Sequence, residues 1–114
     1  MPIHDSLEAL LDLDGQQYHL NKGYWVKFEA YVVRVTDQIP HGISYCLTLH
    51  DRHNRRVIGF DNAHGYPSRS RRKKFGGRKV TWDHRHDREE VFQYEFESAV
   101  QLIEDFWLEV ERFV

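Results

Sequence analysis

Two polar clusters in this chain hold side chains able to move protons. The first is Asp61, Asn62 and His64, at the end of a short apolar run, with Arg56 just upstream. The second is His84-Arg85-His86, set between Asp83 and Asp87. Imidazoles beside carboxylates can act as general base and general acid near neutral pH. Residues two apart in an extended chain point the same way, so His84 and His86 can line one wall of a site. Between the clusters run Arg69, Arg71, Arg72, Lys73, Lys74, Arg78 and Lys79, with Tyr66 and Phe75 among them. Guanidinium groups pair with phosphates, and aromatic rings stack on bases.

These are the parts that phosphodiester cleavage requires: cations for the phosphate, and proton-transfer groups at the attacking and leaving oxygens. In that chemistry His84 or His86 would deprotonate a 2′-hydroxyl, and the other, or His64, would protonate the leaving oxygen. Asp61 would orient an imidazole, as carboxylates do in other histidine sites. Arg56, with Arg55 as a second candidate, would stabilise the charge on phosphorus, and the basic run would hold the RNA backbone. No cofactor is needed. Two alternatives stay open. Asp61, His64, His84 and His86 could instead hold a metal ion for a metal-dependent phosphodiesterase. The protein could also be a non-enzymatic nucleic-acid-binding module working through the basic run. Each cluster has a plainer reading as well. Asp-Asn after a strand is turn chemistry, His-x-His fits a polar linker, and a basic run fits a solvated loop.

The 114 residues suit one domain, spanning 1–114. Seven Phe, six Tyr and three Trp argue against a disordered chain. One cysteine, Cys46, excludes an intrachain disulfide and a cysteine-based zinc site. The N-terminus lacks the pattern of a secretory signal, and no apolar run reaches the ~20 residues of a membrane span. A cytoplasmic protein, not bound to a membrane, is expected. The formal net charge of −2 hides segregation. Residues 1–51 carry −4, residues 52–88 carry +9 and residues 89–114 carry −7. The basic middle is the part suited to a phosphate backbone.

The elements that must position these groups follow from periodicity. Leu7, Leu10 and Leu11 share a helical face in a short N-terminal turn or docked arm ended by Gly15. Gln16 to Leu20 suits a strand, and Asn21-Lys22-Gly23 a turn. From Tyr24 to Val35 the chain alternates as a long strand, with Tyr24, Val26, Phe28, Ala30 and Val32 on its buried face. Ile43, Tyr45, Leu47 and Leu49 alternate next. Residues 51–54 turn the chain, and Val57 to Phe60 return it as a hairpin with Ile58 and Phe60 buried. Gly59 falls on the other face, where a missing side chain permits close approach. Residues 65–79 read as an exposed basic loop. From Glu89 onward, Phe92, Phe96, Ala99, Val100, Ile103, Phe106, Trp107, Val110 and Phe113 recur at helical spacing, with Asp87 as a candidate cap. The expected fold is α+β: an antiparallel sheet of about four strands with one long C-terminal helix packed on one face.

The run Phe60-Asp61-Asn62-Ala63-His64, followed by His84-Arg85-His86 and an acidic C-terminal helix, resembles the TumE-type toxins of prokaryotic toxin–antitoxin modules. The likeness spans most of the chain. Gly59 stands where the commoner pattern has an arginine, and Ala63 leads directly to His64 where that pattern has a proline. The resemblance implies a growth-inhibiting toxin neutralised by a cognate antitoxin, often a helix-turn-helix DNA-binding protein. RNA cleavage is read from the residues, not from the resemblance.

Overall fold

The computed structural model describes residues 3–62 and 83–114, with side chains from Leu7 onward. The expected basic loop at 65–79 and His64 lie outside the described residues. Helix α1 (Ile3–Asp12) leads into strands β1 (Gln17–His19), β2 (Trp25–Val32), β3 (Ile43–His50), β4 (Arg56–Asp61), β5 (His84–Asp87) and β6 (Glu90–Gln93), and helix α2 (Ala99–Glu111) follows. The strands form one sheet in sequence order, every neighbouring pair antiparallel. Among the described residues no helix is long and apolar enough to cross a membrane.

Alternation divides the sheet into an apolar and a polar face. Val26, Phe28, Ala30, Ile43, Tyr45, Leu47, Leu49, Ile58 and Phe60 are buried on the apolar face. The same core cluster contains Ala99, Leu102, Phe106 and Val110 of α2, and Leu10 of α1. Phe106 meets Phe28 and Phe60 edge-on, at centroid distances of 5.5 and 6.1 Å. Strand β2 is shorter than the alternation suggests. It stops at Val32, which is 70% exposed and not buried.

The sheet has six strands, not four, and the error lies at one place. Glu89 does not start a helix. Asp87 pairs with Glu90 across a two-residue turn, and β5 and β6 form a hairpin. Arg88 takes φ +58 there, a left-handed conformation usually left to Gly or Asn, so the usual turn signal is missing. The spacing of Phe92 and Phe96 suits a helix, but ladder pairing to β5 wins for Glu90–Gln93. Asp87 caps nothing; its carboxylate Oδ2 accepts from Arg112 at 3.1 Å. The true N-cap of α2 is Ser98, whose hydroxyl accepts from the Gln101 amide at 3.0 Å.

The β3–β4 turn is held by Asp51. Its carboxylate accepts from the amides of His53 (2.8 Å) and Arg55 (3.0 Å) and from Arg55 Nε (3.0 Å). These bonds, the Arg55 amide foremost, hold the Asp51 carboxyl below its usual 3.8.

Replacing Ser98 with Ala should cost about 1 kcal/mol, a fall of several degrees in Tm. A helix beginning at Glu89 would leave Tm unchanged. Asp51→Ala tests the turn through pH. A lowered folded pKa adds stability that is complete above the unfolded value and lost as pH falls through the folded one. The wild type should therefore be more stable than the variant at neutral pH, and the gap should narrow as acid unfolding is followed downward from about pH 4.

Candidate active site

The two clusters of the sequence meet because β5 pairs with β4. Asp61 stands directly opposite His84, and Gly59 opposite His86. All four belong to the polar face, since Phe60 and Arg85 between them pair on the apolar one. His86 Nε2 lies 2.9 Å from Asp61 Oδ2. The His84 and His86 rings are 6.4 Å apart. Asp61 is 6% exposed, His86 4% and His84 1%. The second Asp61 oxygen, Oδ1, is buried without a hydrogen-bond partner among the described residues. A carboxylate this close to an imidazole, away from water, can orient the ring.

Arg56 joins this group through Gly59. A register shift between Leu49 and His50 puts Arg56 opposite His50, on the polar face. Its stem then runs over Gly59, where a Cβ would stand 3.3 Å from Arg56 Cδ and 3.5 Å from Thr48 Cγ2. Gly59 thus clears the path for a guanidinium beside the strand position opposite His86. Arg55 is engaged at the β3–β4 turn, its Nε 3.0 Å from Asp51 Oδ2.

Asn62 has a different role from Asp61. Its side chain accepts from the Tyr45 amide (2.9 Å) and donates to the Ile43 carbonyl (2.8 Å), continuing the β3–β4 ladder where β4 ends. The bonds run to the neighbouring strand and not to its own turn. They anchor the backbone that carries Asp61.

Asp83 and Arg85 point to the opposite face. Asp83 Oδ1 accepts from the Tyr45 hydroxyl at 2.7 Å and lies 3.3 Å from His41 Nε2. His41 Nδ1 accepts from the Ile43 amide at 3.3 Å, and its ring packs on Phe96 at 4.0 Å. Both nitrogens of His41 are occupied within the fold, so this cluster ties β5 to the loop before β3. Burial foremost, then the Asp83 charge, pushes the Tyr45 hydroxyl well above its usual range. Arg85 lies over the Phe92 ring at 4.6 Å, and 3.8 Å from Glu109 of α2. Sequence reasoning missed His41 and Tyr45, because neither stands near Asp83 in the chain.

Cys46 lies opposite Asp61 on β3. Burial, then the charges of Asp61 and Glu29, push its thiol up to about 11. It is a poor nucleophile. Farther along the polar face, His50 Nε2 is 2.9 Å from Thr48 Oγ1, and its ring stacks on Trp25 at 4.2 Å. Burial, then Lys27 and Arg56, lower its pKa below 6.5. Neither Trp25 nor His50 was singled out by spacing, since each is one residue of an alternating strand.

Among the described residues no group of three or more His, Cys, Asp or Glu is placed to hold a metal ion. Asp61, His84 and His86 therefore do not form such a group, and His64, the fourth candidate ligand, lies outside the described residues. Arg69, Arg71, Arg72, Lys73, Lys74, Arg78 and Lys79 also lie outside them.

Residues 12–114 match the sequence profile of a family described as Toxin TumE. The match defines the class: a toxin component of a toxin–antitoxin system, which has a cognate antitoxin as its partner. The chain belongs to the TumE toxin family. No curated protein and no solved structure matches it.

Cys46 supplies a check on the burial of this face. At pH 8 its alkylation by iodoacetamide in the folded protein should run about a hundredfold slower than that of an ordinary thiol, and denaturant should restore the rate. Fast labelling of the folded protein would show the polar face to be open at β3.

Proposed function

We propose that this toxin acts on RNA as a metal-independent endoribonuclease, with the Asp61–His86 pair as its proton-transfer centre. The observation that carries the reading is the 2.9 Å approach of His86 Nε2 to Asp61 Oδ2, beside His84 and within the reach of Arg56. With the Asp61 carboxylate beside it, the His86 imidazole takes the proton from a 2′-hydroxyl. The 2′-oxygen attacks the adjacent phosphorus, a 2′,3′-cyclic phosphate forms, and the 5′-oxygen leaves with a proton supplied by His84 or His64. Asp61 stabilises the imidazolium formed midway. Arg56 stabilises the extra negative charge on the phosphoryl oxygens. Arg69, Arg71, Arg72, Lys73, Lys74, Arg78 and Lys79 hold the backbone, so binding weakens steeply with salt. The antitoxin in this reading is a helix-turn-helix DNA-binding protein encoded alongside, and both act in the cytoplasm.

The near-complete burial of both imidazoles favours a second reading. In it the histidines only knit β4 to β5, and the protein is a nucleic-acid-binding module that works through its basic run.

Induced expression in a bacterial host, with RNA cleavage measured in vitro, separates the two. His86→Ala should lower cleavage about 10²–10⁴-fold and relieve growth inhibition, and Asp61→Asn should do so more weakly. EDTA should leave the wild-type rate unchanged, whereas the metal-dependent alternative loses activity. A folded His86→Ala protein that stays fully toxic would place the action in the basic run.

A further inference from the structure

The polar face carries a second feature, two strands from Asp61. Trp25 pairs with His19 of β1 on one side and with His50 of β3 on the other. Its indole is fixed twice: the His50 ring stacks on it at 4.2 Å, and its Nε1–H donates to Asn54 Oδ1 at 3.1 Å. Beside it opens a groove of about 360 Å³, lined by Gln17, His19, Gly23, Trp25, Arg52 and Asn54. Gln17 and His19 belong to the same face, since they pair with Lys27 and Trp25. Gly23 closes one wall. It has φ +83, and a Cβ there would meet Arg52 Cβ at 2.6 Å, so only glycine lets the β3–β4 turn come this near.

The groove combines a rigid aromatic plane, amide and imidazole hydrogen-bonding groups, and one cation. That combination fits an aromatic heterocycle attached to phosphate. An aromatic ring already immobilised loses little entropy when a ligand stacks on it. The groove is also in line with the site. His50 and Arg56 lie level with Trp25 across β3 and β4, and Arg56 runs on over Gly59 toward His86. At ~4.8 Å per strand, β2 and β5 are about 14 Å apart, a span that a few nucleotides of single strand can cover. Arg56 stands in the row between them, where a connecting phosphate would pass.

We propose that the Trp25 groove is a subsite for an unpaired nucleobase of the RNA strand whose phosphodiester lies at Asp61–His86. This rests on the RNA reading above and adds to it a base-recognition site away from the basic run. Trp25 stacks on the base, Gln17 and His19 meet its edge, and Arg52 pairs with the neighbouring phosphate.

A short fluorescent 2′-O-methyl oligouridylate lacks the attacking hydroxyl, so its binding to the full chain is measurable by anisotropy without cleavage. Trp25→Ala should weaken binding about 5- to 100-fold, the range for loss of one base–aromatic stack. Trp25→Phe should retain most of the affinity. Arg52→Ala should weaken binding and reduce its salt dependence. A base-free sugar–phosphate strand should bind Trp25→Ala and wild type alike. If wild type binds the oligouridylate and folded Trp25→Ala binds it equally well, the subsite is wrong and the RNA reading stands. Should Trp25→Ala fail to fold, unchanged binding and unchanged salt dependence in Arg52→Ala would overturn the subsite. No binding by wild type would sink the RNA reading itself. Loss of antitoxin binding by Trp25→Ala with RNA binding intact would assign the groove to a protein partner and overturn the proposal.

Discussion

The pairing of β4 with β5 is the interaction that brings the two polar clusters of this chain together. Asp61 and His84 stand far apart in the sequence, with the whole basic run between them; in space they are ladder neighbours. Sheet register is a discrete variable. A slip of one residue would send His84 and His86 to the apolar face, and bring Arg85 to the polar one. Register is fixed by what each face tolerates: Phe60 and Ile58 must be buried, and Arg85 and Asp87 opposite them find partners at the end of the chain in Glu109 and Arg112. Those contacts set the aim of the histidines without touching them.

A similar division of tasks appears at the end of β4. Neighbouring Asp61 and Asn62 look alike as a pair of turn-forming residues, yet they do different things. Asn62 commits both ends of its amide to the β3 backbone. Buried amides seldom go unpaired, and this one takes over the ladder where the strand runs out. Asp61 keeps one carboxylate oxygen against His86 and another that no described residue occupies.

Among the described residues, charges near the end of the chain and on β5 form local pairs. Arg85 and Arg112 meet Glu109 and Asp87 where the end of α2 approaches β5. These pairs are partly exposed and individually worth about 0–1 kcal/mol. Their value is positional, since they tie a short strand to the C-terminal helix.

Sequence by itself determined the two-faced strands and the β3–β4 hairpin, and it drew attention to the two polar clusters. Period-two alternation in Val26–Ala30 and Ile43–Leu49 states which side chains enter the apolar core, because side-chain direction alternates along a strand. It also marked Gly59 as a point of close approach, and Arg56 occupies it. It misread Glu89–Gln93, where helical spacing of aromatics conceals a strand and Arg88 turns the chain without a glycine. Only the tertiary structure decided that Asp61 contacts His86, that Asp83 belongs to Tyr45 and His41 on the far face, and that Trp25 stands beside a groove. Those are relations between strands. Spacing along one chain records which way a side chain points, whereas the partner it meets depends on register across a ladder, and register is settled by the whole core at once.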